Sequence, residues 1–220
     1  MLQLYGHLFS SYTWKALIPL YANGTPFEFR DVDQQDPANA ANQAFVAAAH
    51  PAGKFPILVD GGTTIVEATA IVEYLAVHHP GPAPLIPDDP AQAATARMID
   101  RVFDNYVMTN ATRVVLAYIR GGGVPEAAEV EDAKAALQRA YGWLEAWLGT
   151  NRLPPHVSLV TCAAAPSLFY ADWIEPIPDD HPRLRALRAE LLALPAVARC
   201  VDDARPFRAE YFPPGAPDRD

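Results

Sequence analysis

Cysteine is nearly missing: Cys162 and Cys200 are the only two in 220 residues. Two distant thiols make no disulfide framework and no metal-ligand spacing, so neither a stapled scaffold nor a cysteine metal site is expected. Both fall in segments that read as helix, where a buried, reduced thiol is the default. Positive charge is also scarce, with 17 Lys and Arg against 26 Asp and Glu and a formal net charge of −9. That balance argues against nucleic acid and anionic membranes as partners. No apolar run reaches the length of a membrane span, and the opening MLQLYGHLFSSYTWK shows no basic stretch followed by an apolar one. A cytoplasmic protein is the expectation. Internal repeats are absent, and strand signals stop after residue 90.

The first eighty residues alternate strand and helix signals. LQLYG (2–6) is a short apolar strand. SSYTWKALIPLYANG (10–24) has helical spacing, with hydroxyl residues to cap its start and Gly24 to stop it. Pro19 inside it should kink or interrupt the helix. PFEFRDVD (26–33) alternates apolar and polar residues, the period of a half-buried strand. DPANAANQAFVAAA (36–49) opens with Asp-Pro, a good helix start. FPILVD and TTIVE, joined by Gly61-Gly62, read as an antiparallel hairpin, followed by the helix EATAIVEYLAVHH. The order is β-α-β-α-β-β-α.

Residues 80–90 (PGPAPLIPDDP) hold five prolines, a stiff linker. Beyond it, 91–119 and 125–149 read as two long helices, SLVTCAAAPSLFYADWI (158–174) as an almost wholly apolar buried helix, and two shorter helices follow. The tail YFPPGAPDRD is expected to be loosely ordered. Strand–helix units followed by helices alone imply an α/β domain (1–79), the linker (80–90) and an all-helical domain (91–220).

Pro56 opens the first hairpin strand. Prolines sit at strand starts and edges because they lack a ladder donor, so Pro56 reads either as a plain boundary or as a cis X–Pro bond. Glu67 reads as a helix-start acid favoured by the dipole, or as a binding group.

At nearly full length the sequence resembles the soluble glutathione transferase family. GKFPILVD…IVEATAIVEYL looks like its glutathione-binding segment, LYGHLFSSYTWKAL like its first strand, active-site loop and first helix, and HVSLVTCAAAPSLFYADW like its buried sixth helix. The resemblance implies a thioredoxin-like first domain, glutathione as co-substrate with no metal, a homodimer, and a small electrophile as partner. It implies a cis Phe55–Pro56 bond, with the Phe55 backbone pairing with the cysteinyl backbone of glutathione. Glu67 and the N–H of Ala68 would take the γ-glutamyl end at a helix N-terminus. Lys54 would reach the glycyl carboxylate, with His50 assisting. The first eighty residues carry three basic groups (Lys15, Arg30, Lys54) against seven acidic ones, so local groups such as Lys54 must attract an anionic tripeptide.

A thiol near its ordinary pKa of about 8.5 is mostly protonated at neutral pH, and a hydroxyl donor to sulfur favours the thiolate. By the family's bacterial serine-type pattern Ser10 matches that donor, and Tyr12 is its rival. A capping role for Ser10 or Ser11 is compatible with either. For the electrophile pocket, between the domains, the candidates are Leu8, Phe103, Tyr106 and Val107. Two departures stand out. Ala68 replaces the usual serine, which implies glutathione binding weaker by roughly 1 kcal/mol. Thr161 replaces the usual acid of a capping box with Ser158, and is expected to close it poorly, so that Thr161→Asp should stabilise. The reading is a transferase that conjugates glutathione to a small electrophile. The alternative is a binding or interaction protein on the same fold with weak or no turnover. Glutathione-dependent dehalogenation or isomerisation would use the same site, and the cysteine-free loop disfavours disulfide reduction.

Overall fold

The structure, a computed structural model, describes residues 1–220. Its sheet is built from β1 (Leu2–Gly6), β2 (Phe27–Asp31), β3 (Ile57–Asp60) and β4 (Thr63–Val66) in the order β2-β1-β3-β4. β1 pairs parallel with β2 and antiparallel with β3, and β3 with β4 closes the expected hairpin. The parallel pair needs a crossover, supplied by α1 (Ser11–Asn23). Gly61 and Gly62 have φ of 54° and 97°, which lets the two-residue turn close without a Cβ penalty. A short 3₁₀ turn (Pro37–Asn39), capped by the Asp36 carboxylate accepting from the Ala38 N–H at 2.9 Å, leads into α2 (Ala40–Ala49). α3 (Ala68–His78) comes directly after the hairpin.

α1 runs unbroken through Pro19, against the expected interruption. Burial explains this. Trp14, Leu17, Ile18 and Leu20 are almost fully removed from water, and this packing holds the helix across the donor that proline lacks. Residues 79–89 run between α3 and the next helix and are pinned midway: Leu85 is buried, and its carbonyl accepts from the Leu159 N–H at 2.7 Å.

The helical part comprises α4 (Pro90–Val102), α5 (Thr109–Arg120), α6 (Ala127–Trp147), α7 (Leu159–Ile174), α8 (Pro182–Leu192), α9 (Pro195–Ala204) and the short α10 (Arg208–Tyr211). Instead of the single helix expected over 91–119, a π-helical turn (Phe103–Met108) sits between α4 and α5. All sixteen residues of α7 are buried, as its apolar sequence requires. α7 packs on α1, with Trp14 4.9 Å from Phe169 and 5.3 Å from Tyr170 between ring centroids. One continuous core therefore joins sheet-side helices to the bundle. Cys162 and Cys200 are buried and free, and burial pushes both thiols up, so neither is a nucleophile.

Two further expectations are overturned. Thr161 does close the capping box: its Oγ1 accepts from the Ser158 N–H at 3.2 Å while the Ser158 Oγ accepts from the Thr161 N–H at 3.4 Å. The threonine hydroxyl reaches the same donor that an acid would, and also donates to the His156 carbonyl at 3.3 Å. The tail is also packed. Phe212 is buried against Trp173, Asp220 pairs with Arg205 and Arg208, and Arg219 donates to the Asp172 carboxylate and carbonyl. Charges at the very end of the chain tie down a segment whose composition suggests a loose one.

Candidate active site

The loop between β1 and α1 is held from two sides. The Trp14 indole N–H donates to the Leu8 carbonyl at 2.7 Å, and the Tyr170 hydroxyl donates to the Phe9 carbonyl at 2.8 Å. Within the loop, the Phe9 N–H donates to His7 Nδ1 at 3.1 Å and the Ser10 N–H to the His7 carbonyl at 2.9 Å. The His7 ring is buried against Phe207 and Tyr211, and that burial lowers its pKa. The loop thus presents Ser10 in a fixed place. Ser10 is the N-cap of α1, its Oγ accepting from the Thr13 N–H at 3.3 Å. The hydroxyl proton stays available for another acceptor at the mouth of a helix.

Ser10 and Tyr12 line one cavity of about 240 Å³. Its far walls come from the helical part: Met108, Ala111 and Val115 on one side, Ile174 and Phe212 on the other. Nine of its twelve lining residues are apolar or aromatic, and none is Lys, Arg or His. Two lining hydroxyls are already engaged, Tyr170 with Phe9 and Tyr211 with the Asp33 carboxylate. Burial, and then the Asp104 carboxylate, push the Tyr12 phenol up. Tyr12 therefore stays protonated and is a poorer proton source than an ordinary tyrosine.

The second group of candidates gathers along β3, β4 and α3. Phe55–Pro56 is a cis peptide, with Pro56 buried and Phe55 half-buried at the entry to β3. Glu67 is the N-cap of α3, with φ 71° and ψ 118°, a backbone conformation that a non-glycine residue adopts only at a cost of about 1–3 kcal/mol. Its side chain makes no cap bond and is 75% exposed. The first N–H groups of α3, Ala68's among them, have no partner within the helix. His50 is buried, accepts from the Ala52 N–H at Nδ1 (3.0 Å) and sets Nε2 3.5 Å from Glu67 Oε1. Lys54 is exposed on the loop before Phe55.

The electrophile-pocket candidates fare differently. Phe103 and Val107 are fully buried core residues, Tyr106 is exposed on a separate groove with Trp143 and Arg139, and Leu8 packs on the core. None of the four lines the cavity beside Ser10. Phe103, Tyr106 and Val107 all lie within the π-turn, where Phe103 and Val107 turn into the core and Tyr106 turns outward. The face toward Ser10 is instead Met108, Ala111, Thr112 and Val115. The i, i+4 spacing of the apolar pair 111 and 115 is the signal in the sequence that marks it.

Residues 4–83 match the family described as glutathione S-transferase, N-terminal domain. A Vibrio cholerae protein named probable maleylacetoacetate isomerase is 26% identical over 210 residues, covering 92% of this chain and 96% of that one. Among solved structures, glutathione transferase F7 from Populus trichocarpa superposes with a TM-score of 0.78 at 21% identity, covering 93% of this chain and 99% of that chain. Maleylacetoacetate isomerase from Anaeromyxobacter dehalogenans 2CP-1, with bound GSH in its active site, gives 0.72 at 26% identity over 94% and 97%. Residues 4–83 thus carry a glutathione S-transferase N-terminal domain, and with the all-helical part that follows the chain is similar along nearly its whole length to glutathione transferases and maleylacetoacetate isomerases.

Proposed function

We propose that this enzyme binds glutathione along Phe55, Glu67 and Ala68 and conjugates it to a small, uncharged, apolar electrophile. Ser10 is the sulfur-side donor. Its hydroxyl lies at the start of α1, where the helix dipole also favours an anion. The thiol proton passes to solvent, sulfur forms a bond to the electrophilic carbon, and the leaving group departs with the bonding pair. Glu67 would pair with the γ-glutamyl ammonium, and Lys54 with the glycyl carboxylate.

The observation that carries this reading is the composition of the cavity beside Ser10: apolar walls, two engaged tyrosine hydroxyls and no cationic side chain. A carboxylate moved from water into such a cavity loses hydration without gaining a partner. Several relatives are named maleylacetoacetate isomerase, which favours a second reading, isomerisation of a carboxylated substrate at the same site. Turnover separates the two. With glutathione present, a neutral aryl halide such as 1-chloro-2,4-dinitrobenzene should be conjugated, and maleylacetoacetate should be isomerised slowly or not at all. Faster isomerisation than conjugation would favour the second reading. Glutathione binding with no turnover of either would favour a binding protein.

A further inference from the structure

Behind the first turn of α3 lies a buried cluster of charges. Lys15 on α1 is 1% exposed, and its Nζ meets Asp100 Oδ1 at 2.5 Å and Asp104 Oδ2 at 2.7 Å. It also donates to Thr69 Oγ1 at 2.8 Å. The Thr69 hydroxyl in turn donates to Asp100 Oδ2 at 3.1 Å. Fully buried lysine and aspartate are rare, and an apolar set of similar volume would be as stable or more so. A cluster of this kind fits a positional role better than a stabilising one.

The group that the cluster positions is Arg101. Its Nε donates to Asp100 Oδ2 at 2.9 Å and its Nη2 to Asp104 Oδ2 at 2.8 Å, and Nη2 also contacts Asp100 and Thr69. Two buried carboxylates face two cations, so Lys15 leaves Arg101 held but not overdrawn. Its Nη1 makes no bond, and the side chain is 47% exposed. Thr69 is the second residue of α3, directly after Ala68, so the Nη2 contact with its hydroxyl brings the guanidinium to the first turn of that helix. The Ala68 methyl offers no hydroxyl there, whereas Arg101 offers a cation with two unused N–H donors on Nη1.

We propose that Arg101, fixed by the buried Lys15–Asp100–Asp104 triad, is a further ligand-binding residue that takes the γ-glutamyl α-carboxylate of glutathione. The assignment rests on the glutathione reading above. The ligand ends divide by charge, with the exposed Glu67 carboxylate for the ammonium and Arg101 with the α3 N-terminus for the carboxylate. This supplies the anion contact that the absence of serine at position 68 removes.

The test is calorimetric titration of the wild type, Arg101→Gln and Arg101→Lys with two ligands. One is glutathione, and the other is γ-aminobutyryl-cysteinyl-glycine, which keeps the ammonium and lacks the α-carboxylate. Arg101→Gln should weaken glutathione about tenfold and leave the decarboxylated analogue unchanged, with Arg101→Lys in between. Equal losses for both ligands would mean that Arg101 only holds the fold, and no loss would mean that the carboxylate lies elsewhere. Either result overturns the assignment. A wild type that binds no glutathione rejects the glutathione reading itself, and this assignment with it.

Discussion

Replacing Ser10 by alanine removes two things at once, and the structure separates them. The first is the N-cap, the 3.3 Å bond accepted from the Thr13 N–H. Its loss costs about 0.5–2 kcal/mol of stability. α1 survives it, because Trp14, Leu17 and Ile18 are fully buried against the rest of the core. The second is a hydroxyl donor on the cavity wall. A charge-assisted bond to a thiolate contributes about 1.5–3 kcal/mol, and one pKa unit corresponds to 1.36 kcal/mol, so the bound thiol should rise by about one to two units. Turnover at neutral pH should then fall about ten- to a hundredfold while glutathione affinity changes little. Thiolate absorbance, followed against pH with saturating glutathione, reads the shift directly, and circular dichroism checks folding. Tyr12→Phe is the control, expected to leave the titration in place. A titration unmoved in Ser10→Ala and shifted upward in Tyr12→Phe would refute the serine assignment and give the role to the tyrosine.

The capping box makes Thr161→Asp destabilising by about 1–3 kcal/mol, since the carboxylate loses the donor to the His156 carbonyl in a buried site; a raised Tm would contradict this. Tyr170→Phe should cost about 1–2 kcal/mol and lower kcat more than it alters glutathione affinity, because the Phe9 carbonyl next to Ser10 loses its partner. Unchanged kcat would show that the loop is held without that bond. His7 has its pKa lowered from 6.5 by burial, so the folded state prefers the neutral ring. Below pH 6.5 the unfolded chain binds more protons, and stability should fall as pH drops through that window and stay flat above it with respect to this group. Urea midpoints at pH 7.5 and 5.5 check this, and His7→Asn should flatten the difference.

Local signals carry the first domain in the sequence. Strand alternation, the Gly61-Gly62 turn and the Asp-Pro helix start are each short-range chemistry, and they place Pro56, Glu67 and Ser10 where the structure has them. The distal wall of the cavity is not local. It depends on a π-turn that shifts the register by one residue after Phe103, and on a tail whose Tyr211 and Phe212 reach the site through contacts with Asp33 and Trp173. Pairings between residues so far apart in the chain leave no periodic mark. The triad around Lys15 is hidden for the same reason. In the sequence Lys15 is one charged residue in an apolar helix, and its partners lie about ninety residues away.

The proposed binding of glutathione by Ser10, Phe55 and Glu67 is the centre on which the other proposed roles depend. Calorimetric titration of the wild-type protein with glutathione, repeated with Glu67→Gln, tests it most directly. Saturable one-to-one binding per chain is expected, weakened about tenfold by the substitution because the ammonium of the ligand loses its charged partner. Absence of binding to the wild type, or equal binding to both proteins, would contradict it.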